Sequence, residues 1–214
     1  MKKAEKVEII EFKPIVPKTV EITIEGDTDL VLNKMNDVTT RQLTDARKDK
    51  AKDLSKPNEW EEIITAVHWI NGKPEEFSEK TLKECLNPKN NAPCITAFGL
   101  KKSFGEALTR NKISTYSTEF RATVNVIGER ANLIPVRFSE YHLDEMLMSP
   151  KKGAPVLVKL NRFSGWSAKF RISFLENVYS LEQIVNIINL SGFGIGIGSS
   201  RNSDFGRYHV TNIQ

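Results

Sequence analysis

The stretch "SGFGIGIGSSRNSDFGRYHV" (191–210) places glycine at 192, 194, 196 and 198, with Phe193, Ile195 and Ile197 between them. Ser199, Ser200 and Arg201 come next, then Gly206 and Arg207. If 192–198 is extended, the two-residue period puts all four glycines on one face and the three apolar side chains on the other. The apolar face joins a core, and the bare face presents main chain to whatever lies against it. Two readings are open. Exposed N–H groups beside Ser199, Ser200 and Arg201 suit phosphates. A neighbouring helix packed tightly on a strand needs the same bare face. A dinucleotide fingerprint is excluded, because G-x-G-x-x-G would need glycine at 197, 199 or 201, where Ile, Ser and Arg stand. No G-x-x-x-x-G-K-[ST] is present either.

Before the run, Ser180 and Gln183 form a capping box for a helix carrying Leu181, Ile184, Val185, Ile187, Ile188 and Leu190. After it, FGRYHVTNI (205–213) reads as a last strand. Upstream, VLVKLNRF (156–163) and SAKFRISFL (167–175) flank Ser164-Gly165-Trp166 and read as a β-hairpin. MLMSPKKGAP (146–155) is a protruding turn bearing Lys151 and Lys152. FRATVNVIG (120–128) and NLIPVRFSEYHL (132–143) read as strands. PCITAFGLKKSFGEALTRN (93–111) is an extended segment leading into a basic amphipathic helix, with Leu100, Phe104, Ala107 and Leu108 on one face and Lys101, Lys102 and Arg110 elsewhere.

At the front, Val20, Ile22 and Ile24 alternate with polar residues in a half-buried strand, ended by Gly26-Asp27. Residues 33–57 are polar and poor in large apolar side chains, the composition of a mobile helix or a disordered loop. Asn58 and Glu61 read as a capping box for a helix with Trp60, Ile63, Ile64, Val67 and His68, and Ser78 opens a shorter one. Residues 33–93 thus form a mostly helical insertion. Without it the order is βαββαβ, which predicts an α+β, modified ferredoxin-like (RRM-like) core with a protruding β-hairpin, in one domain spanning 1–214.

Residues 1–100 hold 16 Lys and Arg against 18 Asp and Glu; residues 101–214 hold 15 against 9, including eight of the ten arginines. Arginine-rich surface suits phosphate. The two cysteines, Cys85 and Cys94, are read as reduced and packed. The N-terminus lacks the apolar core of roughly 7–15 residues that a signal peptide carries, and no run reaches the roughly 18 apolar residues of a membrane span. The expected location is the cytoplasm. No His and Cys spacing suits zinc, and no nucleophile–base arrangement is readable.

The G-x-G-x-x-R of Gly196, Gly198 and Arg201, followed by Phe205-Gly206-Arg207, resembles the glycine loop of the repeat-associated (RAMP) superfamily of CRISPR proteins. Pro93, Ile95, Leu100, Lys101 and Arg110 match the segment leading into the first helix of its backbone subunits, with Thr96-Ala97-Phe98 standing where that pattern has proline and small residues. The resemblance covers about 20–30 and 93–212. It implies a non-catalytic protein that binds single-stranded RNA, ahead of single-stranded DNA, and stacks with copies of itself or other ribonucleoprotein subunits. No cofactor or metal is expected. The strand would run past Lys101, Lys102 and Arg110, past Gly194, Gly196, Gly198, Ser199, Ser200, Arg201 and Arg207, and past Lys151 and Lys152. Two alternatives stay open: a phage structural or assembly protein using the glycine face for packing, and a metal-dependent ribonuclease using Asp27 or Asp29.

Overall fold

The computed structural model describes residues 15–47, 58–115, 117–130, 132–148 and 155–214. In chain order these form β1 (Pro17–Gly26), β2 (Leu30–Leu32), α1 (Asp37–Arg47), α2 (Glu59–Thr65), β3 (His68–Trp69), α3 (Glu79–Leu86) and β4 (Pro93–Thr96). Then come α4 (Ala97–Arg110), α5 (Ser117–Thr123), β5 (Val124–Ile127), β6 (Leu133–Arg137), β7 (Glu140–Met148), β8 (Val156–Ser164), β9 (Ser167–Leu175), α6 (Leu181–Gly194) and β10 (Tyr208–Ile213). The architecture is α+β, and every strand pair among the described residues is antiparallel.

The larger sheet runs β10-β1-β9-β6-β4-β3, with β5 on the same edge of β9 as β6. The alternation in β1 sends Val20, Ile22 and Ile24 into the core, as its pattern requires. Helices α4 and α6 pack against each other over that face. Leu100, Phe104 and Leu108 from α4 and Ile184 and Ile188 from α6 are fully buried with Phe170, Ile172 and Phe174 of β9. Each such side chain contributes about 1.5–3 kcal/mol of transfer free energy. Phe104 meets the edge of Phe120 at 6.4 Å between centroids, which fixes α5 against α4. The Ser180–Gln183 capping box is present in both directions.

A smaller sheet, β2-β8-β7, stands beside the larger one. Arg162 of β8 reaches Asp144 and Asp29, each at 2.5 Å, so one guanidinium ties the β7–β8 hairpin to the β1–β2 turn. The fully buried Asn161 accepts from the Tyr141 hydroxyl and donates to Ile63 O (2.9 and 3.1 Å), joining the hairpin to α2.

Several local expectations are corrected. The β8–β9 hairpin does not form: β8 pairs with β2 and β7, while β9 pairs with β1, β5 and β6. Gly165, at φ +56°, turns the chain from one sheet into the other. Trp166 is then buried, its indole donating to Thr28 O and its carbonyl accepting from Gly26 N–H, both at 2.8 Å. The α2 helix stops at Thr65, because His68 and Trp69 pair with Cys94 and Pro93; backbone pairing overrides the helical period there. Asn58 caps α2 through Trp60 N–H, without the reciprocal bond of a capping box. Residues 117–123 are helical, and Phe120 reaches the core from that turn, so the strand begins only at Val124.

Within 33–57, residues 37–47 form α1. It is held by buried Val38, by Asp37 N–H bonded to Thr65, and by Arg41 paired with Glu61 at 2.7 Å. The remainder, 48–57, lies outside the described residues.

Candidate nucleic-acid interface

The glycine run is not extended. Helix α6 continues through Gly194, and the N–H groups of Ile195 and Gly196 both donate to Ser191 O (2.9 and 2.8 Å). Gly196 then enters the left-handed region at φ +73°, the common way to end a helix. The single bare face predicted from period 2 is therefore absent, because a helical backbone points alternate residues in unrelated directions.

Most of the glycines serve contacts within the chain. A Cβ on Gly192 would lie 1.8 Å from Tyr208 O, and one on Gly206 would lie 1.9 Å from Ile197 O. Gly198, at φ +83°, faces Val31 O in the same way, and Gly196 faces Gly206 O. Gly194 alone of the run has open space around it. The loop after α6 is closed on itself by Ile197 N–H to Gly206 O at 2.9 Å, and it is sewn to β2 and the β1–β2 turn by Ser199 N–H to Val31 O and Gly206 N–H to Asp29 O, both at 2.8 Å. Beneath it the buried Ser103 hydroxyl meets Ser191 Oγ at 2.6 Å and donates to Gly196 O at 2.8 Å, while Tyr208 donates to Ser191. Ser103 is on α4, so these bonds tie the helix to the loop.

Each predicted site residue has a definite place. Lys102 and Arg110 lie on one exposed stripe of α4 with Glu106 between them. Arg110 pairs with Glu106 at 2.6 Å, and Arg201 from the loop reaches the same carboxylate at 3.6 Å. These residues thus come together. Lys102 is exposed and pairs with no described residue. Lys101 turns to the other side and donates to Asn125 at 3.0 Å; burial, then the charge of Arg121, lowers its pKa from the usual lysine value. Ser199 Oγ is engaged with Asn33, donating to its carbonyl at 2.9 Å, and Ser200 occupies the left-handed region. Arg207 is mostly covered and bonds Asp204 at 3.0 Å, so it is Arg207 that braces this turn. Lys151 and Lys152 lie outside the described residues.

The loop aspartates are also engaged. Asp29 is clasped by Arg162, and Asp27 Oδ1 lies 2.6 Å from His209 Nδ1. Among the described residues no group of three or more His, Cys, Asp or Glu is placed to hold a metal ion. Both cysteines are free and buried, and burial pushes the Cys94 thiol up to about 12, which keeps it neutral and inert as a nucleophile.

Three features differ from the sequence reading or were not part of it. Phe98, on the first turn of α4, is 67% exposed, although α4 buries its other large apolar side chains. It stands out of phase with the Leu100–Phe104–Leu108 stripe, and that phase was readable. Phe193, expected with Ile195 and Ile197 on the face that joins the core, is instead 84% exposed, because α6 carries it off its apolar stripe, while the two isoleucines are buried. The third is a cleft of about 180 Å³ between β2, the start of α4 and the loop. Leu32, Ile95 and Ile197 form its floor, and Asn33, Lys34, His68 and the Gly198 main chain form its rim. No period announces it, because it joins segments from four parts of the chain.

No protein-family model and no curated protein sequence matches the chain. Among solved structures it is similar to a chain of the type III-B Cmr-beta cryo-EM structure bound to cognate target RNA, with 12% identity and a TM-score of 0.49. That match covers 92% of this chain but only 60% of the other, so this chain spans less than two thirds of that neighbour. It is also similar to Cmr6 from Pyrococcus furiosus, with 11% identity and a TM-score of 0.33, covering 92% of this chain and 100% of that one. No helix among the described residues is long and apolar enough to cross a membrane.

Proposed function

We propose that the chain is a non-catalytic, single-stranded nucleic-acid-binding subunit with a ferredoxin-like core made of β1, α4, β5, β9, α6 and β10. The observation that carries this is exposed Phe98 with Lys102 one turn further along α4, exposed and paired with no described residue, beside a loop hydrogen-bonded to that helix. An exposed aromatic ring beside a cation is the sequence-tolerant way to hold a single strand: the ring stacks a base and the ammonium meets a phosphate. Arg201, only loosely tied to Glu106, extends the charged path onto the loop. RNA is placed ahead of DNA by the resemblance of the motifs, and so is assembly with copies of itself or other ribonucleoprotein subunits. The packing alternative drew on a bare glycine face, and Gly192, Gly196 and Gly198 are filled by contacts within the chain.

Electron microscopy of the purified protein with and without single-stranded RNA tests the reading. Ordered arrays that form only with RNA support it. Ordered multimers free of nucleic acid, with no RNA bound on addition, favour the packing role.

A further inference from the structure

Asn33 lies at the end of β2, on the rim of the cleft beside the glycine loop. Its main chain is fully used: its carbonyl accepts from Ser199 Oγ at 2.9 Å, and its N–H donates to the same hydroxyl at 3.3 Å. Its side chain is not. Asn33 Oδ1 is buried and has no hydrogen-bond partner among the described residues. An unpaired buried acceptor costs on the order of 1–3 kcal/mol, so an amide held this way is poised for a donor brought from outside. His68 lines the same cleft, and burial first and Lys34 second hold its imidazole below the usual histidine pKa, which favours the neutral ring. The floor is apolar, formed by Leu32, Ile95 and Ile197. The cleft has a volume of about 180 Å³, room for several waters and on the order of one planar heterocycle.

A cleft with an apolar floor and one amide and one imidazole in its lining suits a nucleobase. An asparagine amide matches an edge that sets a donor beside an acceptor, as adenine N6 and N7 do. Lys34 at the rim is placed for the attached phosphate; its only ion pair among the described residues is a 3.9 Å approach to Asp37.

We infer that this cleft takes one unstacked base of the bound strand, read by the Asn33 amide against the His68 ring. This rests on the single-strand reading above and adds to it a base-specific seat apart from the Phe98–Lys102 stripe.

The test is fluorescence anisotropy with a twelve-nucleotide oligoadenylate, comparing the parent chain with Asn33→Leu, which fills the slot, and Asn33→Asp, which keeps the shape and loses the amide donor. Circular dichroism checks that each variant is folded, and the aspartate variant decides if the leucine variant is not. One bidentate base contact corresponds to roughly a 5–150-fold loss of affinity. For Asn33→Leu we expect a loss of about tenfold, with the slope of log affinity against log salt unchanged, because no charge is altered and no phosphate contact is removed. For Asn33→Asp we expect a loss at least as large, because its carboxylate also stands beside Lys34. Unchanged affinity in a folded variant overturns the seat while leaving the strand reading intact. If the parent binds no oligoadenylate, the strand reading fails, and adenosine monophosphate decides the seat alone. Binding that is lost in the Asn33 variants upholds a base site that needs no strand; no binding overturns it.

Discussion

Gly192 of α6 lies so close to Tyr208 of β10 that a Cβ on the glycine would sit 1.8 Å from the tyrosine carbonyl oxygen. The helix is thereby locked over the last strand, and the loop between them has one path. Gly194, two residues on, has nothing within 4 Å of the same position and a helical backbone.

The two glycines should therefore respond oppositely to alanine. Gly192→Ala should lose about 3 kcal/mol, the upper range for forcing extra volume into a packed site. Gly194→Ala should be neutral or gain up to ~1 kcal/mol from helix propensity. Urea melts of both variants check this; equal effects would contradict the contact at Gly192.

The hydroxyl chain beneath the loop makes a second prediction. Ser103→Ala would leave the Gly196 carbonyl, which now accepts at 2.8 Å, without its donor. Ser103 and Ser191 are both fully buried, so the loss should be about 1–3 kcal/mol. Combined with Tyr208→Phe, the loss should fall short of the sum, because Ser191 is bonded to both groups. A double-mutant cycle in denaturant checks it.

His68 gives a pH dependence. Its folded pKa is depressed by burial and Lys34, so the unfolded chain binds the proton more readily. This contribution is fully present above the unfolded value of about 6.5 and is lost as pH falls through the lower folded value. Between pH 7.5 and 5.0 the parent should lose more melting temperature than His68→Gln. Equal losses would show that the imidazole is not held neutral by its surroundings.

Local periodicity made much of this molecule legible. The alternation in β1, the Leu100–Phe104–Leu108 face of α4 and the capping box at Ser180 each specify their element without help from elsewhere. What was illegible is set by distant partners. Trp166 is pulled from a hairpin into the core by Thr28 and Gly26, 138 and 140 positions earlier. His68 leaves a helical pattern to pair with Cys94. The glycine run shows the limit most clearly: its period of 2 is real, but α6 keeps its hydrogen-bonded ladder through Gly194 and cancels the face that the period implies. The charges at 102, 110 and 201 were readable one by one. The meeting of Arg110 and Arg201 at Glu106 was not, because it depends on how the loop returns onto α4.

Phosphate contact along α4 and the loop is the point on which single-strand binding stands or falls. The measurement is a salt titration of single-stranded RNA binding for the parent and for Lys102→Ala combined with Arg201→Ala, run beside melting curves. Each single-strand phosphate contact contributes roughly 0.7 to the slope of log affinity against log salt, so two lost contacts should flatten it by about 1.4. The double variant should also bind more weakly, while its melting temperature stays near that of the parent. An unchanged slope and affinity, or a parent that binds no single strand at low salt, would contradict it.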